Sequence, residues 1–345
     1  MKVLQRINWT NTLFLTITHL VAIVGTILVI IFGHLHWQTI VLGLVLVIAT
    51  GLSVTAGYHR LFSHSSYRAI WPVRALLLLI GAGAFEGSVL EWSTDHRQHH
   101  RYTDTDKDPY NIQQGFWYAH MGWLFVLDAS KRDFSNVEDL TADPLVRWQH
   151  RFFVPLAIFM GFIFPLGLTC LWGDPLGGFI IAGALRIVIN QQMTFCINSV
   201  CHLFGKRTYS EKQSARDNWV TALFTFGEGF HNFHHQFSID YRNGVRPYDF
   251  DPTKWLIRGM AFLRLTTDLK TVSKEQIIRY RIRLEETQIV ESKHHFMVSL
   301  RDRILQMAAH IHQLEKDCVL LKKQKIAEYR VHLVQQRQRL KQAKQ

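Results

Sequence analysis

The sequence predicts an all-α integral membrane protein with four transmembrane helices, a cytoplasmic helical domain rich in histidine and a C-terminal helical tail. Hydrophobic residues make up 48% of the 345 residues, and they are concentrated in long runs. A span needs about 20 mostly apolar residues, and four runs approach that length. Three compact histidine clusters lie beside these runs, and the last 77 residues are strongly basic.

The four predicted spans cover about residues 13–32, 39–56, 153–172 and 176–197. The first follows Lys2 and Arg6 like a signal peptide, but it is long and lacks a small-residue cleavage site, so a retained anchor is predicted. Gly173-Asp174-Pro175 has the composition of a tight turn between the last two spans. The apolar stretch 71–85 is short and contains several glycines, which favours a re-entrant or surface-lying helix.

The distribution of Lys and Arg predicts the orientation of the spans. The links at 33–37 and 173–175 contain neither residue, whereas the N-terminus, the segment 59–151 and the chain after 206 are rich in both. Loops rich in Lys and Arg stay on the cytoplasmic side. We therefore expect a multi-pass protein of the bacterial inner membrane or the endoplasmic reticulum, with both termini and all three histidine clusters on the cytoplasmic side.

The composition changes after Asp268, which predicts a membrane domain at 1–268 and a basic helical tail at 269–345. The tail has 17 Lys and Arg against 8 Asp and Glu. Its apolar residues recur at alternating three- and four-residue spacing, at Met297, Leu300, Ile304, Met307, Ile311, Leu314, Cys318 and Leu321. This pattern predicts a coiled coil, and an amphipathic helix on the catalytic body or on anionic headgroups is the alternative. Most of the net charge of +12 comes from the tail and the membrane flanks, so no nucleic acid partner is expected.

The histidine clusters have the spacing of metal ligands. His96, His99 and His100 are spaced i, i+3, i+4, and so are His231, His234 and His235. Each triplet lies on one face of a helix. His59 and His64 are five residues apart, or about 140° around an α-helix, which predicts that they reach different ions. Eight ligands exceed the number that one transition-metal ion takes, so the clusters predict two ions.

The residues alone leave the metal open among iron, copper and zinc. The four cysteines, at 170, 196, 201 and 318, lie outside the clusters, which disfavours zinc–thiolate and iron–sulfur sites. Soluble di-iron bundles use two Glu-x-x-His motifs. Glu228-x-x-His231 is a single copy, and we interpret it as incidental.

The clusters and their flanking residues resemble the membrane fatty acyl-CoA Δ9 desaturases, the stearoyl-CoA type. The similar segments are Gly57 to His64, Glu91 to His100 with Asp108-Pro109-Tyr110-Asn111, and Gly227 to His235. The resemblance extends over roughly residues 10 to 265. It implies an oxidoreductase that introduces a cis double bond into a saturated acyl chain, with two iron ions cycling between Fe2+ and Fe3+, and with O2 as the co-substrate that is reduced to water.

The resemblance also implies a set of ligands. The segment Asn198-Ser199-Val200-Cys201-His202 resembles the family segment that supplies a ninth histidine and an asparagine acting through water. One iron is then expected to take His59, His96, His100 and His234, with the Asn198 water. The other is expected to take His64, His99, His202, His231 and His235. No catalytic residue beyond these ligands is implied. Selecting one bond of an acyl chain requires geometric positioning, and the candidate substrate-binding residues are Trp92, Asp95, Trp117, Trp123, Phe195 and Phe226.

Two positions depart from the family pattern and leave the acyl carrier open. Thr94 stands where animal members have an arginine that contacts CoA, and Leu127-Asp128-Ala129 replaces an expected basic pair. The substrate is therefore expected to be a long-chain acyl thioester or an acyl lipid. Because the sequence has no His-Pro-Gly-Gly segment, we expect a separate electron donor, a ferredoxin, cytochrome b5 or similar protein, with its reductase.

Two other functions use the same features. A membrane di-iron hydroxylase or alkane monooxygenase would share the histidine clusters. A membrane metal-binding or transport protein is the alternative from another class, but transporters place their ligands near the bilayer midplane, and here the clusters lie outside the spans. The membrane lipid is an expected partner, and the tail predicts either a homodimer or docking on a partner protein.

Overall fold

The computed structural model describes residues 6–127 and 133–342, so Lys2, Asp128 and Ala129 lie outside the described residues. Four helices are long and apolar enough to cross a membrane, and they run over Trp9–Ile31, Trp37–Ser63, Phe153–Trp172 and Pro175–Leu203. The predicted all-α membrane fold is confirmed. The second and fourth helices continue past the predicted ends of their spans, to Ser63 and Leu203. As a result, His59 and His202 lie within these two helices.

The spans expose apolar side chains outward and pack small residues inward. Only 28% of the apolar window of the first span, and of the third, is buried, and exposed residues such as Leu20, Ile27 and Val154 cover their outer surfaces. Between the first and fourth spans, Ala22 packs against Ala184 and Val188. Small residues at such contacts let helix backbones approach closely, as is common in membrane bundles.

Shorter helices and two small antiparallel sheets surround the ends of the spans. Residues Trp71–Ala82 form a helix of 12 residues, which is shorter than a span. The strand Arg6–Ile7 pairs with Val126–Leu127, and Arg68–Ala69 pairs with Thr266–Thr267. The other short α-helices cover Val89–Tyr102, Phe116–His120, Glu138–Thr141, Pro144–Arg151, Trp219–Phe224, His231–Gln236 and Pro252–Phe262.

A much longer helix of 69 residues covers Lys274–Gln342.

The largest hydrophobic cluster joins the second span to these shorter helices. Tyr58, Phe62, Leu78 and Val89 are among its buried members, and Ile257 from the helix Pro252–Phe262 completes it. The chain forms two compact units, which divide between Arg281 and Ile282. The boundary predicted at residue 268 stays a prediction.

Arg186 is a cation in the fourth span, and it is 1% exposed. Its guanidinium donates hydrogen bonds to the carbonyl oxygens of Gly83 at 2.7 Å and Met160 at 3.0 Å. Further bonds reach the carbonyls of Gly161 and Ala182 and the hydroxyl of Thr50. Charged residues inside membrane spans normally pair with protein groups, and here one side chain joins the second, third and fourth spans to the end of the helix Trp71–Ala82.

Candidate metal centre

The first histidine cluster lies on a π-helical segment, Ser53–Ser63, at the end of the second span. A π-helix closes each turn between residues five apart, and such segments are frequent at functional sites. The backbone N–H of His64 donates to the carbonyl of His59 at 3.1 Å, which continues this pattern. His59 and His64 therefore lie one above the other, with ring centroids 4.9 Å apart.

The second cluster projects from one face of the helix Val89–Tyr102. This helix begins with a capping box, in which the Ser88 hydroxyl accepts from the backbone N–H of Glu91, and the Glu91 carboxylate accepts from that of Ser88. Capping satisfies N–H groups that the first turn leaves unpaired. The fixed start of the helix sets the rotation at which His96, His99 and His100 face the other clusters.

The third cluster begins at Gly227-Glu228-Gly229, where neighbouring atoms leave no room for a Cβ at either glycine. A Cβ at Gly229 would lie 2.2 Å from the backbone nitrogen of Ala222. Gly227 has φ +100°, and a Cβ there would meet the Asp251 carboxylate at 2.5 Å. Both positions therefore require glycine. The close packing that they allow places Glu228 and the helix His231–Gln236 beside the other two histidine clusters.

The helix His231–Gln236 is further held by polar residues within and beside it. The Asn232 amide oxygen accepts from the backbone N–H groups of Thr208, Tyr209 and Ser210, and its nitrogen donates to two carbonyls. The Asp217 carboxylate accepts from the backbone N–H of Phe233 at 3.0 Å. These bonds fix the loop after His202 against the third cluster.

The ring nitrogens of the nine histidines converge into two groups. In each group the potential ligand atoms lie within 4.8 Å of one another. The larger group comprises His59, His64, His96, His100 and His234. The smaller group comprises His99, His202, His231 and His235. The structure thus brings together all nine predicted histidines, including His202 at the end of the fourth span.

The structure corrects the division that the resemblance implies at one histidine. His64 belongs to the group of His59, and its Nε2 lies 2.8 Å from that of His96. The expected separation of His59 and His64 assumed an α-helix, and the π-helical turn overturns it. The smaller group then has four histidines. Asn198 lies one turn before His202 on the fourth span and lines the cavity that histidines of both groups reach, and its role through water stays a prediction.

Carboxylates and amides behind the histidines orient several rings. Glu228 lies 2.8 Å from Nδ1 of His59, and Asp108 lies 2.8 Å from Nδ1 of His99. Ser214 and Gln213 take the same place behind His202 and His235, at 2.7 and 2.9 Å. Such partners hold the proton on Nδ1 and leave the Nε2 lone pair for a metal, as is usual for histidine ligands.

The electrostatics favour the neutral form of four of these imidazoles. Burial, followed by the charges of neighbouring imidazoles, lowers the pKa of His96, His231, His234 and His235 well below the ordinary value. Burial alone would raise the pKa of Glu228, but attraction to His59 and Arg60 outweighs it and lowers that pKa. The centre therefore presents neutral nitrogen donors beside an ionised carboxylate, which is the protonation state that metal binding requires.

The donor geometry is compatible with a bound cation. His99 and His235 each direct Nδ1 at an oxygen acceptor, of Asp108 and Gln213, and a neutral imidazole has a single N–H. Their Nε2 lone pairs therefore face each other across 3.2 Å. Two lone pairs at this distance repel unless a positive charge, a proton or a metal ion, lies between them, so the residues present fit a bound metal.

A large cavity reaches both groups of histidines. It has a volume of about 2370 Å³, and His59, His96, His99 and His231 contribute to its wall. Of the candidate substrate residues, Trp92, Asp95, Trp123 and Phe195 also line it. The Trp92 indole stacks on the His96 imidazole at a centroid distance of 4.7 Å, so the cavity wall continues directly into the histidine centre.

Two candidate substrate residues lie elsewhere. Trp117 is 73% exposed and is absent from the cavity wall formed by the described residues. Its short helix, Phe116–His120, directs a different residue inward. The His120 ring forms hydrogen bonds with the side chains of Ser199 and Gln192. Phe226 packs against Gly51 of the second span, where a Cβ would touch its ring. The aromatic character of a residue therefore gives no information on which face of its helix it occupies.

Several supporting residues have no distinctive signal in the sequence. The single Glu-x-x-His spacing makes Glu228 look incidental, yet this residue orients His59 and pairs with Arg60 at 2.9 Å. In the sequence, its position between two glycines is the feature that indicates a buried side chain. Gln213 and Ser214 lie in a polar loop, and nothing in their spacing indicates that they stand behind His235 and His202.

These observations define a membrane protein with two groups of histidines that could each hold a metal ion, at the wall of one large cavity. Residues 35–263 match the model of the fatty acid desaturase family. The chain is 46% identical over 276 residues to a probable acyl-CoA desaturase of Schizosaccharomyces pombe, covering 79% of this chain and 57% of that protein. It is 44% identical over 246 residues to acyl-CoA desaturase 1 of Saccharomyces cerevisiae, covering 70% of this chain and 48% of that protein.

An animal relative is matched over more of its length. The chain is 39% identical over 279 residues to stearoyl-CoA desaturase 5 of Bos taurus, covering 79% of this chain and 82% of that protein. The chain belongs to the fatty acid desaturase family. It spans about half the length of the two yeast relatives that it matches.

Proposed function

We propose that the protein is an oxygen-dependent acyl-CoA desaturase that introduces a cis double bond of the Δ9 type into a saturated long-chain acyl group. The observation that carries this proposal is the convergence of nine imidazoles into two groups at the wall of one large cavity. The relatives named acyl-CoA and stearoyl-CoA desaturases support the same reaction.

The spacing of the ring nitrogens supports iron over tetrahedral zinc. Nitrogens bound to one ion at about 2.1 Å lie about 3.0 Å apart at right angles and about 3.4 Å apart at tetrahedral angles. The neighbouring Nε2 atoms within the two groups lie 2.8 to 3.2 Å apart. This crowding suits two ions of five or six ligands each, which the proposed iron centre requires. When bound, the two irons supply the activation of O2 and the oxidation that removes two hydrogens from adjacent methylenes.

The residues of the chain bind and orient the acyl group. The cavity wall beside the histidines includes Trp92, Phe195 and Ala157, which exclude water and hold methylenes by apolar contact. Because Trp92 stacks on His96, a chain that passes this indole lies against the metal ligands. Positioning of this kind selects one carbon–carbon bond without any polar feature in the substrate.

Basic residues at the cavity support a CoA thioester as the substrate. Arg101 and Lys107 both line the cavity, and their cationic groups lie 5.4 and 5.2 Å from the centre of the Tyr102 ring. Thr94, the position that argues against CoA, is 2% exposed, and its hydroxyl donates to the carbonyl of Leu90. Arg101 and Lys107 therefore supply the phosphate contacts that Thr94 does not.

This carrier assignment is tested by the double substitution Arg101→Ala, Lys107→Ala. The expected result is a KM for acyl-CoA raised about tenfold or more with little change in kcat, because two charge-assisted contacts are lost away from the reacting carbons. Arg68→Ala is the matched control, since the Arg68 side chain is 81% exposed and pairs with Asp268. An unchanged KM in the double variant would show that the acyl group arrives on another carrier.

The arrangement of the spans supports a cytoplasmic centre with both termini on that side. The first cluster lies at the end of the second span, and His202 lies at the end of the fourth. Spans that cross in alternating directions bring these two ends to one membrane face, and the positive-inside rule assigns that face to the cytoplasm. A separate donor protein delivers electrons there, and the basic surface favours an acidic donor.

The reaction is tested by expression in a host that cannot make unsaturated fatty acids, followed by mass spectrometry of the lipids. The wild-type chain should yield Δ9-unsaturated acyl groups only when oxygen is present. His99→Ala and His234→Ala, one from each histidine group, should abolish them, whereas His34→Ala in the exposed link should not. Hydroxylated acyl chains without alkenes would contradict desaturation, and full unsaturation in both cluster variants would contradict the metal centre.

A further inference from the structure

The second unit, from Ile282 onward, belongs to a single helix that runs from Lys274 to Gln342. Seven apolar residues of its heptad seam, from Met297 to Leu321, are 40% to 65% exposed, and Cys318 is exposed as well. Long isolated helices gain little stability without packing of an apolar face. From this exposed seam we propose that two copies of the chain associate through residues 297–321 as a parallel, in-register, two-stranded coiled coil.

The identity of the seam residues favours two parallel strands. In heptad terms, Met297, Ile304, Ile311 and Cys318 occupy the a positions, and Leu300, Met307, Leu314 and Leu321 occupy the d positions. β-Branched residues at a with leucine at d favour parallel dimers over trimers and tetramers. The two central a positions are both isoleucine, and three of the four d positions are leucine.

Charges beside the seam are compatible with the same register. In a parallel dimer each g residue faces the e residue five positions later on the partner helix. This pairs His310 with Glu315 and Asp317 with Lys322, and the second pair is attractive at neutral pH. The remaining pairs, Phe296 with Arg301 and Arg303 with Ala308, contain no like charges.

The seam has defined ends. Continuing the heptads places Lys293 at the d position before Met297 and Lys325 at the a position after Leu321. Lysine at these positions places charges at the helix contact and ends the apolar strip. The paired segment is thus 25 residues, or about 37 Å at 1.5 Å per residue. Confinement of both copies to one membrane raises their effective concentration and favours this pairing further.

Cys318 provides a reporter for this arrangement. In a parallel, in-register pair the two Cys318 residues occupy facing a positions, at a separation that a disulfide can bridge, about 4.4–6.8 Å between Cα atoms. In an antiparallel pair centred on the same seam, Ile304 faces Leu314, and Cys318 faces Leu300. Disulfide formation therefore distinguishes the two orientations.

The first experiment uses the full-length protein in mild detergent with copper phenanthroline as the oxidant. A disulfide-linked dimer that reductant reverses is expected from the wild type and from the single-reporter variant Leu300→Cys, Cys318→Ser. Cys318→Ser alone should abolish the link, which excludes the other cysteines. A dimer that persists in Cys318→Ser, or single reporters that fail to link, would overturn the parallel register.

The second experiment measures mass by size-exclusion chromatography with light scattering. Ile304→Asp, Ile311→Asp should convert the dimer to a monomer, with a Kd at least 100-fold weaker. The matched control is Leu305→Asp, Val319→Asp, because these residues occupy b positions outside the seam and are 60% and 54% exposed. This control should stay dimeric.

Other outcomes overturn the proposal. A wild-type monomer, both in detergent and in nanodiscs of anionic lipid, would refute self-association and would match a helix lying on lipid headgroups. A dimer that survives the seam substitutions would place the interface elsewhere. Since both experiments read mass and covalent linkage, their results are independent of whether the protein desaturates acyl chains.

Discussion

Glu228 connects two histidine clusters through one buried carboxylate. One oxygen lies 2.8 Å from Nδ1 of His59, and the other accepts from Arg60 at 2.9 Å. Arg60 also pairs with Asp251 at 3.0 Å, and Asn243 donates to Glu228 at 2.6 Å. All of these groups are buried, so each charge depends on its partners for compensation.

We expect Glu228→Gln to weaken metal binding in the group that contains His59. The amide nitrogen would face N–H groups of His59 or Arg60, and the negative charge that polarises His59 would be lost. Substitutions behind metal-bound histidines typically cost 10- to 100-fold in metal affinity or activity. Iron retained during chelator competition, measured by elemental analysis, should fall by that factor. Asp268→Asn, whose carboxylate is 51% exposed, is the control, and equal retention in both variants would contradict this role.

Glu86 is the second informative carboxyl group, because it lines the large cavity that we propose to hold the acyl chain. It accepts from the Thr194 hydroxyl at 2.9 Å and from the Trp92 indole at 3.3 Å. Burial raises the pKa of Glu86 to about 7. The group is therefore neutral below that pH and becomes a carboxylate in an apolar cavity above it.

The expected consequence is a KM for the acyl substrate that rises with pH. If only the neutral form admits the chain, KM increases about tenfold between pH 6 and pH 8, whereas Glu86→Gln should show no such increase. Stability falls over a lower pH range. The unfolded chain loses this proton near the ordinary glutamate pKa of about 4.3, so the folded state is destabilised as the pH rises from there to 7. A pH-independent KM in the wild type would contradict this assignment.

The convergence of the nine histidines could be predicted from sequence, because imidazoles grouped so densely beside membrane spans serve few purposes except metal binding. The residues behind them could not, since an acceptor such as Asp108 or Gln213 has no spacing rule relative to the histidine it supports. Burial and partner identity depend on how distant segments pack, as with Gln213 and His235, 22 residues apart.

At the scale of elements, the two glycines beside Glu228 determine how the third cluster enters the centre. Gly229→Ala would place a Cβ 2.2 Å from the backbone of Ala222, where no flexible side chain can give way. We expect this change to lower the melting temperature markedly and to reduce iron content. Gly259→Ala is the matched control, since nothing lies within 4 Å of its Cβ position in the helix Pro252–Phe262.

The control should behave in the opposite way. Replacing glycine by alanine inside an unobstructed helix stabilises it by up to about 1 kcal/mol, so Gly259→Ala should melt at the same or a higher temperature. Thermal unfolding of both variants in detergent, followed by circular dichroism, measures the difference. Equal melting temperatures in the two variants would show that the close approach at Gly229 is not required.

The π-helical segment Ser53–Ser63 shows why helix type limits prediction from sequence. Its apolar residues and its length are those of any membrane helix, and the α-helical period places His59 and His64 far apart. Only the i→i+5 hydrogen bond to His64 reveals that the two rings share a side. A π-helical turn is stabilised by packing around it, so composition alone does not indicate it.

At the scale of the whole molecule, all nine histidines and the cavity lie in the first compact unit, which ends at Arg281. The helix from Lys274 begins within this unit, where Ile277 and Tyr280 pack with Phe233 and Phe237. A chain truncated after Val290 should therefore keep the centre intact.

We expect this truncated chain to retain the wild-type iron content and to support the same unsaturated products, while losing the dimer. Elemental analysis and lipid mass spectrometry of the truncated protein provide the measurement. A second truncation, after Thr271, serves as the comparison, because it removes Ile277 and Tyr280 and should lower stability. Loss of iron in the chain truncated after Val290 would show that the tail supports the histidine centre.

The overall architecture follows from composition, since long apolar runs have few folds available to them. The number of spans was therefore predictable. The extension of the second span to Ser63 was not, because His59, Arg60 and Ser63 read as polar sequence beyond a membrane. These side chains are buried, and only their partners from other segments make that burial favourable.

Arg186 has a consequence for the order in which the protein is made. An arginine at the centre of a span costs about 2.5–3.5 kcal/mol on membrane insertion. The carbonyl oxygens of Gly83, Met160 and Gly161 that receive its hydrogen bonds all precede it in the chain. The ribosome therefore delivers these acceptors before the cation, so the partners of the guanidinium already exist when the fourth span enters the bilayer.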